Sequence, residues 1–326
     1  MLVSTYNTLN EYTIHSKIGG ENLSTIYEAT HKQNGVKRAV KVMDLDKFCA
    51  IDSEFHEEVN KRIDLIQRIN NGGNTNIVHY HRISHFDHHI ILEMQYINGA
   101  TINDYIKENK YFVEVKEVIN LIVDIGRALK FLHCDIFCIT ENQSHQKTYT
   151  DITPVEYLNP NRFVLHNDIH TLNILRDISG KYILIDLDFA IEGKPTKYEK
   201  LHRIDLRGMS WFRAPEKWGD DGYICTQSDV YSFGVVIYWF LTGEPPFTVN
   251  DSDVTYDRLI EPLKDIPTSI LKFRKRNFEH HFPNKRYVKD YPNWLEELIL
   301  RCLKKDPNER FKDGNELLEY VMLNLV

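Results

Sequence analysis

One stretch constrains this chain more than any other. Val164-Leu165-His166-Asn167-Asp168-Ile169-His170-Thr171-Leu172-Asn173-Ile174-Leu175 is followed by Tyr182-Ile183-Leu184-Ile185-Asp186-Leu187-Asp188, an apolar run that ends in acid. An aspartate, an asparagine five positions on, and an aspartate closing a strand form a layout that holds a proton acceptor beside metal ligands. Asn173 and Asp186 supply hard oxygen donors that suit Mg²⁺, a cation that keeps several waters and bridges phosphates. A solvated loop between two short strands would not need this spacing.

The surrounding pattern supplies a frame for that loop. Tyr12–Ile18, Thr25–Thr30 and Val36–Met43 alternate as strands, with Gly19-Gly20 between the first two and a Gln33-Asn34-Gly35 hairpin before the third. Phe55, Val59, Ile63, Ile66 and Ile69 recur at helical spacing and stop at Asn70-Asn71-Gly72-Gly73. Two more strands lead to Tyr96. Beyond Gly99 the pattern becomes helical, notably over Val115–Leu132, Asp229–Leu241 and Trp294–Lys304. The expectation is an α+β chain in two lobes. An extension at 1–11 precedes a small β-rich lobe at 12–97 and a larger helical lobe at 98–326, joined near Gln95–Gly99.

Composition narrows the classes of function. A formal net charge of −7 argues against a general nucleic-acid binder. The longest apolar stretch, Phe233 to Leu241, is far short of a membrane span, and the first residues do not read as a secretion signal. Five scattered cysteines complete no zinc site, and Cys134 and Cys138 read as the end of a helix. A reducing, cytoplasmic location is expected, in a host cytoplasm if the protein is a secreted effector.

With these motifs in hand the chain resembles a eukaryotic-type protein kinase over residues 12 to 320. Gly208-Met209-Ser210-Trp211-Phe212-Arg213-Ala214-Pro215-Glu216 is similar to that family's A-P-E segment, and Asp229-Val230-Tyr231-Ser232-Phe233-Gly234 to its central helix. Leu241–Phe247 and Cys302–Arg310 resemble the loop after that helix and the closing motif. The resemblance implies ATP and Mg²⁺, or Mn²⁺ in its place, with a protein substrate. Asp168 would take or orient the proton of the attacking hydroxyl. Asn173 and Asp186 would hold the metal, and Lys41 of Ala39-Val40-Lys41 would contact the α- and β-phosphates. The glycine turn Ile18-Gly19-Gly20 would approach the phosphates. Adenine would lie between Ile18, Ile26 and Ala39 on one side and Leu175 on the other. Met94 would be gatekeeper, and the backbone of Gln95 and Ile97 would meet the base edge. Glu216 and Arg310 would form a structural ion pair, and Asp229 would brace the catalytic loop.

Five departures from the family pattern stand out. Glu21 and Ser24 replace the second and third glycines of the phosphate loop. Glu54, Glu57 and Glu58 compete as partner of Lys41, with Glu58 preferred for its distance along the chain. Asn167 replaces the arginine before Asp168, which makes obligatory phosphorylation of the activation segment (Thr196, Tyr198 or Ser210) unexpected. His170 stands where Ser/Thr kinases carry a lysine; this H-x-D-x-H-x-x-N form is similar to that of aminoglycoside and choline phosphotransferases. Asp186-Leu187-Asp188 replaces D-F-G, and Asp188 gives up a glycine's access to positive φ. The resulting expectation is a kinase acting on protein Ser/Thr hydroxyls. A phosphotransferase for small alcohols and a nucleotide-binding scaffold without turnover are the alternatives.

Three further features have plain readings. His79, His81, His85, His88 and His89 read as a polar strand face and turn. The long connection Asp135–Phe163 is a docking segment or solvated decoration. Lys272–Arg276 with Lys285-Arg286 reads as a solvated basic helix face.

Overall fold

A computed structural model of the chain describes residues 10–20, 23–50, 55–86, 88–136, 162–193, 210–218, 222–247 and 269–325, with the side chains of 55–58 and 210 outside that description. The expected connection at 135–163, the activation-segment residues Thr196 and Tyr198, and also Glu21, Met209 and Cys138 fall mostly or wholly outside the described residues.

The first part is an antiparallel five-stranded sheet in the order β1-β2-β3-β5-β4. Its strands are β1 (Tyr12–Gly19), β2 (Ser24–His31), β3 (Lys37–Asp44), β4 (Tyr80–Phe86) and β5 (His89–Gln95). Side chains alternate between two faces along β3. Val40 joins Tyr12, Ala29 and Ile91 in a small outer cluster. Ala39 and Met43 turn instead to the main core, and Lys41 shares their face. A short helix, α1 (Leu45–Cys49), is capped by the Asp44 side chain, which accepts from Lys47 N–H. The amphipathic α2 (Phe55–Asn71) buries Val59, Leu65, Ile66 and Ile69 against the sheet.

After β5 the chain forms β6 (Gly99–Thr101), α3 (Ile102–Glu108) and α4 (Val115–Lys130), which runs into a π-helical turn at Phe131–Asp135. Four short strands follow: β7 (Phe163–Leu165), β8 (Ile174–Asp177), β9 (Tyr182–Leu184) and β10 (Ile191–Gly193). They build a three-stranded sheet β6-β8-β9 and a two-stranded sheet β10-β7. Helix α5 (Thr226–Thr242) is apolar nearly all round and sits at the centre of the helical part, as such a helix must. Around it lie α6 (Ile270–His281), α7 (Asn293–Cys302) and α8 (Gly314–Asn324). One hydrophobic core runs without a break from Ala39 and Met43 to Leu317 and Val321. The fold is the expected α+β arrangement, sheet-rich first and helical after.

The basic stretch on α6 is not uniformly a solvated face. Phe273 and Arg274 are buried, and Arg274 donates to both oxygens of Asp290 and to the Leu241 carbonyl. Lys272 and Lys275 are exposed. Among the histidines, His79 and His81 pack edge to face and His88 bonds the Asp46 carboxylate.

Candidate active site

The loop between β7 and β8 is shaped by an acid beneath it. Asp229, in the first turn of α5, accepts from the backbone N–H of His166 (2.8 Å) and of Asn167 (3.0 Å). His133, in the π-helical turn, lies 3.2 Å from the same carboxylate through Nε2. Its Nδ1 accepts from the Gly314 N–H at the start of α8 (3.1 Å), which places the ring proton on Nε2, aimed at Asp229. Burial opposes the charge on Asp229, but these donors outweigh it and hold the carboxyl below its ordinary range. The loop is further zipped to the strand beyond it. His166 Nε2 lies 2.9 Å from the Ile185 carbonyl, and the Ile185 N–H donates to the Asn173 carbonyl (2.9 Å).

Within this frame Asp168, His170 and Asn173 converge. Asn173 Nδ2 donates to the Asp168 carbonyl (2.9 Å) and to its Oδ2 (3.1 Å). Its amide orientation therefore leaves Oδ1 as the remaining acceptor. His170 Nδ1 accepts from the Leu172 N–H, so Nε2 bears the proton and faces Asp168 Oδ2 at 3.4 Å. Asn167 and Asp186 both take left-handed backbone conformations, each with φ 66°. Such conformations are uncommon away from glycine and cluster at functional sites. The positive φ expected to trouble Asp188 lies two residues earlier, so the exchange of glycine for aspartate there carries no such strain.

Lys41 is the second focus. Its side chain is 2% exposed, and Nζ lies 2.7 Å from Asp186 Oδ1 and 2.6 Å from Asp188 Oδ2. Burial would lower the lysine's proton affinity, but the two carboxylates hold it well above its ordinary value. Burial also works against Asp186, and the Lys41 ammonium outweighs it, holding that carboxyl below its ordinary value. Asp188 goes the other way, pushed above its ordinary value by burial and then by the Asp186 charge. Among the described residues its Oδ1 is buried with no hydrogen-bond partner. Tyr80 closes the group from β4, its hydroxyl accepting from the Leu187 N–H (3.3 Å). Glu58 falls on α2, but its side chain lies outside the described residues.

The oxygen donors here suit a hard cation. Asn173 Oδ1 and the Asp186 carboxylate are carbonyl and carboxylate oxygens. Among the described residues no three His, Cys, Asp or Glu side chains form a metal cage of their own.

The residues expected around adenine fall on neighbouring strands. Ala39 and Met94 are buried directly opposite one another in β3 and β5, and Ile26 pairs with Lys41 in the β2–β3 register. Leu175 on β8 and Ile97 after β5 are half-buried, while Ile18 is exposed near the end of β1. Of the two glycines, Gly20 needs to be one: its φ is +84°, and a Cβ there would meet Ser24 O at 2.5 Å. A Cβ on Gly19 would make only ordinary contact with Ile26.

Comparison with known proteins decides the family. The protein kinase domain model matches residues 12–138 and 135–320. The chain belongs to the protein kinase family. It is 24% identical over 310 residues to a probable serine/threonine-protein kinase of Clostridium acetobutylicum, covering 95% of this chain and 39% of that protein. A second, from Clostridium perfringens, is also 24% identical over 310 residues, with 95% and 37% covered. Serine/threonine-protein kinase PrkC of Bacillus subtilis is 24% identical over 307 residues, with 94% and 39% covered. The chain thus spans under two-fifths of the length of these curated relatives. Among the described residues no helix of this kinase domain is long and apolar enough to cross a membrane.

Sequence reasoning missed four residues that the structure adds to the site. Arg62 interrupts the apolar face of α2 three residues after Val59, a signal visible in the sequence. Its Nη1 lies 3.2 Å from the Asp188 carbonyl and 3.4 Å from that of Ala190. Lys217 donates to the carbonyl and side-chain oxygens of Asn167 (3.1 and 2.7 Å), and nothing local announces it. Tyr80 and His133 likewise carry no local signal.

Proposed function

We infer that the domain transfers the γ-phosphate of ATP to Ser/Thr hydroxyls of protein substrates, and that it does so without phosphorylation of its activation segment. The observation that carries the reading is the convergence of Asp168 with Asn173, and of Lys41 with Asp186, in a frame tied together from α5, α8 and β9. In this reading Lys41 binds the α- and β-phosphate oxygens, and Asn173 and Asp186 hold Mg²⁺. The ion, when bound, neutralises charge on the phosphate oxygens. Asp168 orients the attacking hydroxyl and takes its proton as the new O–P bond forms and the bond to the leaving ADP breaks. His170 steadies the Asp168 carboxylate from the side. Ile26, Ala39, Met94 and Leu175 enclose the base. The Gln95 N–H is already engaged by the His79 carbonyl (2.8 Å), so the base edge meets the carbonyl side of Gln95 and the Ile97 backbone.

Two features support the finer parts. The segment at 210–217 is built into the core: Phe212 stacks on Trp239 with centroids 5.5 Å apart, and His170 lies 6.0 Å from Phe212. That favours an extended peptide as acceptor over a small alcohol. Lys217 already engages Asn167 from within the protein, so the loop needs no phosphate to fix it. The Ser/Thr preference follows the names of the relatives.

The test is transfer of radiolabelled γ-phosphate from ATP·Mg²⁺ to myelin basic protein, with Asp168→Ala beside the wild type. Label on serine and threonine that falls at least about 1,000-fold in the variant is expected. Label on small alcohols alone, or ATP binding without turnover, overturns the reading.

A further inference from the structure

Resting on the ATP-dependent reading above, we propose that Asp188 is the residue that positions Lys41, taking the part that a glutamate on α2 plays in the family pattern, and that α2 is coupled to the site through Arg62 instead. The geometry begins with Lys41. Two carboxylates lie within 2.7 Å of its Nζ, and one of them, Asp186, is also the expected metal ligand. A ligand that must turn toward a cation is a poor anchor for the lysine beside it. Asp188 is the deeper of the two, its side chain 5% exposed against 25% for Asp186. A short side chain at this position reaches Lys41 from the β9 end, where a glycine could not.

Helix α2 grips the same segment twice. Arg62 Nη1 reaches the carbonyls of Asp188 and Ala190, and six residues on, nearly two turns along the helix, Arg68 bonds the Glu192 carboxylate (2.7 Å), which Arg162 also holds. Movement of α2 is thereby transmitted to the backbone that carries Asp188, and from Asp188 to Lys41. The usual link runs straight from helix to lysine. Here it runs helix, backbone, carboxylate, lysine.

The experiment is a double-mutant cycle on the full chain, with Asp188→Asn and Glu58→Gln each made in the wild-type and Lys41→Met backgrounds. Phosphate transfer gives kcat and KM, and adenosine and metal-free ADP binding are measured by calorimetry. Asp188→Asn is expected to lower kcat at least about tenfold, more than Glu58→Gln does. Its adenosine affinity should stay within about twofold, while the extra affinity of ADP over adenosine changes. In the Lys41→Met background the same change should cost less than about twofold, because it acts through the lysine. Asp188→Glu should recover part of the loss, and keeps the test open if the asparagine variant is poorly folded. An Asp188→Asn loss that multiplies with Lys41→Met, or a larger Lys41-dependent loss from Glu58→Gln, overturns the proposal. A wild type that binds ATP without transferring phosphate fails the functional reading instead, and the ADP increment then still judges the role of Asp188.

Discussion

The Nζ of Lys217 sits in a closed site against Asn167, and burial lowers its proton affinity from the ordinary 10.5 to about 8. Unfolding returns the amine to water, where it keeps its proton up to the higher value. Between the two values the unfolded chain holds the extra proton, so stability rises with pH across that window. Lys217→Met removes this dependence. The wild type should gain about 1.5 kcal/mol relative to the variant between pH 8 and 9.5, measured by urea denaturation at each pH. Loss of the bond to Asn167 should also lower kcat of the variant at pH 7.5, measured by the transfer assay. Single residues were readable from the sequence where their partners are close in the chain. Asp168 and Asn173 are five positions apart and their spacing states their relation. Lys217 is fifty positions from Asn167 and His133 is ninety-six from Asp229, so no local pattern carries either contact.

Packing between helices is where small changes in volume are felt. Gly234 on α5 faces α7 so closely that a Cβ there would lie 2.4 Å from the Cβ of Cys302. Both atoms are fixed to helical backbone, so neither can rotate away. Gly234→Ala should therefore destabilise by about 1–3 kcal/mol through overpacking, seen as a lower urea midpoint with an unchanged slope. Most strands and helices matched the hydrophobic period to within a few residues, because periodicity reports burial directly. Helix α1 escaped it: five residues are too few to show a period, and the Asp44 cap defines it instead. Arg274 misled for a different reason. A charge run reads as solvated, whereas the Asp290 carboxylate that lets this guanidinium be buried lies sixteen residues on.

Links between residues far apart in the chain tie the described helical part together. Glu216 and Arg310 form an enclosed ion pair at 2.8 Å, with side chains 3% and 0% exposed. The guanidinium also donates to the carbonyls of Lys304, Lys305 and Gln227. Arg310→Met would strand the Glu216 carboxylate, with only the Ser228 hydroxyl and the weak Cys225 thiol left as donors among its described contacts. It should cost about 3–5 kcal/mol in thermal or denaturant unfolding, far more than an exposed pair would. That pair was expected from the two motifs it joins. The expected α+β order was also visible, because strand-like periods dominate up to Tyr96 and long helix-like periods follow it.

The bond from Gly314 to His133, and from His133 to Asp229, has a consequence for synthesis. A chain made from its first residue to its last completes the loop at His166–Asn173 long before Gly314 leaves the ribosome. Until then His133 lacks the N–H that sets its tautomer, and Asp229 has the His166 and Asn167 N–H groups but not an oriented imidazole donor. The hydrogen-bonded frame beneath the loop at His166–Asn173 is therefore completed only when α8 docks, so synthesis order makes the last helix the closing piece of the site.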